Sequence, residues 1–187
     1  MTWQGAGRTP RPPVVYNIRM NQRKTLRLPC YDYTQGGVYF VTICTQNRRE
    51  CLSDVCRGGA LLRPAGQIVQ REISAMESRF SITVDKYVIM PNHVHLLLST
   101  VKENAGGRAE QSPAPTTGII APSLSDMICA LKSVTAKEIN RMDNAPGRRF
   151  WQRSFYDHVI RNERDYLRAW QYIEDNPARW AEDEYFA

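Results

Sequence analysis

The sequence predicts an α+β domain in which two strand–helix–strand units share one antiparallel sheet. Three observations carry this prediction. Val38 to Cys44 is an unbroken β-branched and aromatic run. Ile82 to Ser99 contains two apolar runs split by Pro91-Asn92, the pattern of a hairpin. Between and after them lie segments whose apolar residues recur at helical spacing.

The elements follow in order. Val38–Cys44 reads as a strand buried on both faces, because polar residues do not alternate along it. Residues 46–63 are polar and turn-rich and read as a loop. Gly66–Phe80 carries Ile68, Val69, Ile73 and Met76 on one helical face. Ile82–Met90 and His93–Ser99 form the hairpin strands. A helix capped by Ser123 or Ser125 runs to about Met142. Phe150–Ile160 is aromatic and extended. A last helix is capped by Asn162 and ends at Asn176, since the residue before Pro177 is biased away from helical geometry. The order is βαββαβ plus a C-terminal helix, the pattern of a ferredoxin-like fold. The paired helices should cover one sheet face and leave the other free for a ligand.

A chain of 187 residues with 42% hydrophobic and 24% charged residues is an ordinary globular composition, which excludes wholesale disorder. No apolar run approaches the ~18 residues of a membrane span, and no leader-like stretch opens the chain. Five cysteines, odd in number and without a Cys-x-x-Cys pair, read as reduced thiols. A cytoplasmic protein is expected. The net charge of +6 is concentrated at one end. Residues 1–30 hold Arg8, Arg11, Arg19, Arg23, Lys24, Arg27 and no acid, so the remaining 19 basic residues cancel the 19 acidic ones. Residues 1–22, rich in Gly, Pro and Arg, read as a flexible basic arm. Residues 23–187 read as one domain, with 101–122 as a flexible insertion loop. A basic arm suits nucleic acid, and it equally suits a tail that only adds solubility.

The sharpest chemical feature is Pro91-Asn92-His93-Val94-His95. Strand side chains alternate, so His93 and His95 share a face while Val94, Leu96 and Leu98 turn to the core. Two imidazoles so placed can hold one divalent metal, or one of them can be a satisfied core residue. A metal needs a further ligand. On the last helix Tyr166, Trp170 and Ile173 form the packing stripe, and Tyr172 and Asn176 stand one above the other beside it. Spacing alone leaves Asn176 as either a ligand or a simple C-cap. Tyr156, in Phe155-Tyr156-Asp157-His158, has no ligand-type residue one helical turn away. His158 alone reads as a phosphate contact or a core residue.

These pieces resemble, in order, the REP-associated tyrosine transposases of the HUH single-tyrosine superfamily. The match comprises Gly37-Val38-Tyr39-Phe40-Val41-Thr42, Met90-Pro91-Asn92-His93-Val94-His95, Leu131-Lys132-Ser133, Phe150 through Asn162, and Tyr172-Ile173-x-x-Asn176-Pro177. It spans roughly residues 23–178 and leaves out 1–22 and 101–122. The resemblance implies a metal-dependent endonuclease and strand transferase acting on single-stranded or hairpin DNA. It implies His93, His95 and Asn176 as metal ligands and Tyr172 as the nucleophile that forms a 5′-phosphotyrosine. The implied ion is Mg²⁺, with Mn²⁺ able to substitute. The implied state is a monomer or a homodimer with shared sites.

For DNA contacts, Lys132, Arg148, Arg149, Arg153 and Arg161 are the candidates. They lie in a stretch, 130–161, where seven basic residues face three acids beside Phe150, Trp151 and Phe155. The competing reading is a non-catalytic nucleic-acid-binding protein on a ferredoxin-like scaffold, which leaves the His-x-His and Tyr-x-x-x-Asn sets unused.

Overall fold

The strand Gly37–Cys44, β1, is buried on both faces because it lies inside the sheet. The computed structural model describes residues 36–56, 58–100 and 122–186, so the expected arm 1–22 and all but the last residue of the expected loop 101–122 lie outside the described residues. After β1 come a 3₁₀ turn at Gln46–Arg48, then β2 (Ser53–Cys56), β3 (Gly59–Leu62) and α1 (Pro64–Phe80). These are followed by β4 (Ile82–Ile89), β5 (His93–Thr100), α2 (Leu124–Met142), β6 (Tyr156–Ile160) and α3 (Glu163–Asp175). A second 3₁₀ segment, Pro177–Glu182, follows α3. The main sheet has the order β4-β5-β1-β6, all pairs antiparallel. This is the predicted ferredoxin-like α+β arrangement. No helix among the described residues is long and apolar enough to cross a membrane.

Alternation along the strands builds two cores. Tyr39, Val41 and Ile43 of β1 and Val94, Leu96 and Leu98 of β5 face α1 and α2, where Val69, Ile73, Met76, Ile128 and Leu131 meet them. Phe40 and Leu97 point the other way and pack under Ala169 and Ile173 of α3. The second sheet face is therefore not open, as the sequence pattern suggests, but roofed by α3. Tyr166 and Trp170 flank that contact, so the predicted packing stripe is observed.

The caps act as their chemistry requires. Ser123 accepts from the Asp126 amide, and the Asp126 carboxylate accepts from the Ser123 amide, which closes a capping box. Asn162 Oδ1 accepts from Asp165 N at 2.9 Å and starts α3.

Two expectations need correction. Residues 46–63 are not all loop: β2 and β3 form a small hairpin outside the main sheet. Its apolar alternation is weak, and it is set by the Gly58 turn at φ +77° rather than by a buried face. Pro177 also does not end the helical path. Asn176 is helical at φ −57°, ψ −44°, and Arg179 N donates to Asn176 O at 3.1 Å to close a new turn. Proline opens that turn without loss, because its missing N–H has no partner there anyway.

Gly66 shows a local constraint. A Cβ there would lie 2.1 Å from the carbonyl oxygen of Leu52. In an open helix Gly→Ala gains up to ~1 kcal/mol. Here Gly66→Ala should instead destabilise by ~3 kcal/mol or more, since backbone must move. Urea unfolding midpoints check this, and a more stable variant refutes the close approach.

Candidate active site

The turn between β4 and β5 is clamped before the histidines begin. Thr45 N and Thr45 Oγ1 both donate to Asn92 O, at 2.9 and 3.0 Å, and Cys51 N donates to Pro91 O at 2.9 Å. His93 then pairs with Cys44, and His95 with Thr42, across β1. This register puts both imidazoles on the α3 side of the sheet, as the alternation predicts.

Neither ring has any solvent exposure. Their Nε2 atoms face each other at 2.9 Å. Asn92 Nδ2 donates to Tyr185 O at 2.7 Å, which fixes Asn92 Oδ1 as the acceptor for His93 Nδ1–H at 2.9 Å. His93 Nε2 therefore carries a lone pair aimed at its neighbour. His95 Nδ1 meets Thr42 Oγ1 at 2.8 Å, leaving its Nε2 for the same point in space. Two nitrogens bound to one ion at ~2.1 Å each stand about 3 Å apart, so this spacing fits a shared cation. Each ring also has an outer partner that fixes its orientation, as metal-binding histidines require. Burial pushes the His95 pKa down to about 3. Burial, with His95 and Arg48 adding to it, holds His93 well below its ordinary value. Both are neutral imidazoles at neutral pH.

Tyr172 stands over this pair on α3. Its ring meets His95 edge-on at 5.1 Å between centroids and Phe40 at 5.8 Å. Burial holds its phenol above the ordinary value, with the Asp183 and Glu184 charges adding to it, while Arg179 and the Asn176 amide pull the other way. Asn176 is buried, and its Nδ2 donates to Asp183 Oδ2 at 2.7 Å. Its Oδ1 is a buried acceptor that finds no donor among the described residues. An acceptor so placed is costly unless something positive meets it.

Asp183 is the residue that sequence reasoning missed. Ligand atoms of His93, His95 and Asp183 lie within 4.8 Å of one another. Tyr185 N donates to Asp183 Oδ1 at 2.7 Å. The Tyr185 ring lies 4.6 Å from His93 and the Trp180 ring 5.8 Å, so the C-terminal segment closes the site. The only sequence signal was an acidic and aromatic cluster, Asp183-Glu184-Tyr185-Phe186, just past the last helix. Asn92 and Thr42, which set the ring orientations, lie inside the motifs read from the sequence, but their contacts to the rings do not follow from spacing.

The candidate DNA residues separate. Lys132 Nζ donates to the carbonyls of Gln152, Arg153 and Ser154 at 2.7, 3.0 and 3.3 Å. Its three donors are thus engaged in holding the approach to β6. Arg148 is held by Asn140 Oδ1 and Asp143. Arg149 and Arg153 are exposed. Arg161 follows β6 beyond Ile160, which pairs with Val38, so it sits at the sheet end opposite His93. Tyr156 lies on β6 and packs in the α3-side core. His158 is paired with Asp165 at 2.9 Å rather than free for phosphate.

No family model matches the chain. A Haemophilus influenzae protein described only as uncharacterized is 28% identical over 179 residues, covering 91% of this chain and 97% of its own. The REP-associated tyrosine transposase of Escherichia coli K12 is 24% identical over 149 residues, covering 79% of this chain and 70% of its own. A solved REP-associated tyrosine transposase bound to a REP hairpin superposes with a TM-score of 0.52 at 21% identity, covering 82% of this chain and 74% of that one. The resemblance carried by the motifs is borne out, and the ferredoxin-like architecture is shared.

The neutral histidines predict a pH dependence. Their folded pKa values lie below the ~6.5 of an unfolded chain, so between these values the unfolded state binds protons that the fold refuses. Stability of EDTA-treated protein should therefore fall as pH drops from about 6.5 toward 4, by up to ~1.4 kcal/mol per unit per histidine. Urea titrations across that range check it, and His95→Gln should flatten the loss. An unchanged slope in the variant sinks the assignment.

Proposed function

We propose that this chain is a metal-dependent single-stranded DNA endonuclease and strand transferase that cleaves beside REP-type hairpins, with Tyr172 as its nucleophile. The observation that carries the reading is the convergence of His93 Nε2 and His95 Nε2 beside Tyr172 within one chain. The unpartnered Asn176 Oδ1 supports it, because an amide oxygen is a fitting ligand for a hard cation. The chain's similarity to the named transposase supports it as well.

His93, His95 and Asn176 would hold the ion, with the Asp183 carboxylate beside them. A bound Mg²⁺ or Mn²⁺ supplies Lewis-acid polarisation of a non-bridging phosphate oxygen. Tyr172 Oη attacks phosphorus in line. A phosphorus–tyrosine oxygen bond forms as the bond to the 3′-oxygen breaks, and the 3′-oxygen takes up a proton. The product is a 5′-phosphotyrosine and a free 3′-OH, and a second 3′-OH can reverse the step to join new ends. The phenol is protonated at rest because its surroundings raise its pKa, so attack requires that this proton leave. Phe40 and His95 fix the ring for that approach. Asp183, Tyr185 and Trp180 lie over the histidines, so a phosphodiester reaches them only when this segment shifts. Tyr172 meets His95 of its own chain, which supports a site built within one copy.

The test is an SDS-resistant adduct with single-stranded DNA carrying a REP-type hairpin in Mn²⁺. Wild type and Tyr156→Phe should form it; Tyr172→Phe and EDTA-treated protein should not. An adduct lost only in Tyr156→Phe overturns the nucleophile. Binding without any adduct makes the chain a non-catalytic nucleic-acid-binding protein.

A further inference from the structure

The C-terminal end of α2 and the turn after it enclose an open groove of about 580 Å³. Lys137, Arg141 and Arg148 line it, with Ser133, Asn140 and Asn144 between them. Lys137 and Arg141 are four residues apart on the helix, so their cations share a face. Both are exposed, and their side chains form no ion pair or hydrogen bond among the described residues. The nearby acids do not compensate them. Glu138 is bound to Arg71 on α1, and Asp143 is bound to Arg148 at 2.6 Å. Arg148 is also held by Asn140 Oδ1 at 3.1 Å and lies over the Phe150 ring. A guanidinium fixed in this way presents its remaining N–H groups without further ordering cost.

Arg148 also lines a smaller hollow with Arg49 and Arg149. Arg49 adjoins Arg48, which donates to Glu184 O at 2.8 Å and lies over the Tyr185 ring. Tyr185 in turn covers His93. Arg48, Arg49, Arg149, Arg148, Arg141 and Lys137 thus form one line of cations from the histidine pair to the α2 groove. Repulsion between such neighbours is unfavourable in the free protein, and a polyanion relieves it.

We propose that this line is a phosphodiester track, on which the single-stranded flank of the DNA runs from the histidine site into the groove at Lys137 and Arg141. The inference rests on the proposed DNA-cleaving function. It places the strand on the β1–α2 side of the molecule, away from Arg161. The alternative source of the same phosphates is the hairpin stem, and the two are separable.

Fluorescence anisotropy with full-length protein in EDTA tests this without cleavage, using a REP-type hairpin with and without a single-stranded flank. Lys137→Glu/Arg141→Glu should bind the flanked hairpin at least tenfold more weakly at low salt. Its log K against log salt slope should fall by ~1.4, the value for two lost single-strand phosphates. Binding of the flankless hairpin should change less than twofold. Arg164→Glu/Arg168→Glu, on the exposed side of α3, should bind as wild type. Unchanged affinity and slope, an equal loss on the flankless hairpin, or an equal loss in the α3 variant each overturns the track. Absence of adduct in wild type overturns the cleavage reading instead, and the anisotropy comparison still reads the groove.

Discussion

Two neutral imidazoles face each other nitrogen to nitrogen inside this protein, and the rest of the fold holds them in that position. The pairing of β5 on β1 is the constraint that does so. Cys44 opposes His93 and Thr42 opposes His95 in the same ladder that sends Val94, Leu96 and Leu98 into the main core. A slip of one residue would put the histidines among α1 and α2 and the leucines under Tyr172. Core burial and site geometry are therefore one requirement. The apolar residues that stabilise the sheet are also what keep the imidazoles on the α3 face.

Holding them there has a cost that the surroundings partly offset. Thr42 and Asn92 satisfy the outer nitrogens, and the Asn92 amide is itself oriented by the Tyr185 carbonyl. The inner nitrogens meet only each other, and Asn176 Oδ1 finds no donor among the described residues. Such residual cost is typical of functional sites, where local consistency gives way to chemistry. The C-terminal segment brings a carboxylate, Asp183, and two aromatic rings over the pair, and that carboxylate accepts from Asn176 Nδ2. The same segment shields the site from solvent. One short stretch of chain thus couples the electrostatics of the histidines to access.

What could be read from the sequence follows from the range of each interaction. The βαββαβ order, the Ser123 and Asn162 caps and the shared face of His93 and His95 depend on periods of two or 3.6 residues, which a sequence displays directly. The β2–β3 hairpin was missed because its residues bury little and alternate weakly. Helix α3 as a roof was only half legible. Its stripe was visible, but which sheet face receives a helix is decided by chain connection. Asp183 was missed because its role arises only after the Pro177–Glu182 turn folds back, a contact no local pattern encodes. Lys132 looked like a DNA contact by charge. Three carbonyls from a segment twenty residues away make it a clasp instead.

Charge shows the same distinction between amount and arrangement. The net +6 resides in the first thirty residues, outside the described structure. Within the domain the positive charge that matters is what its acids leave unpaired. Arg71, Arg148 and Lys86 are matched by Glu138, Asp143 and Glu174. Lys137 and Arg141 are not matched among the described residues, and they share a helix face beside a groove. A charged partner is recognised by such unmatched, ordered cations more than by a total, because matched pairs have little field left at a distance. On the proposed track, the direction in which DNA leaves the histidine pair is set by where the acids are absent.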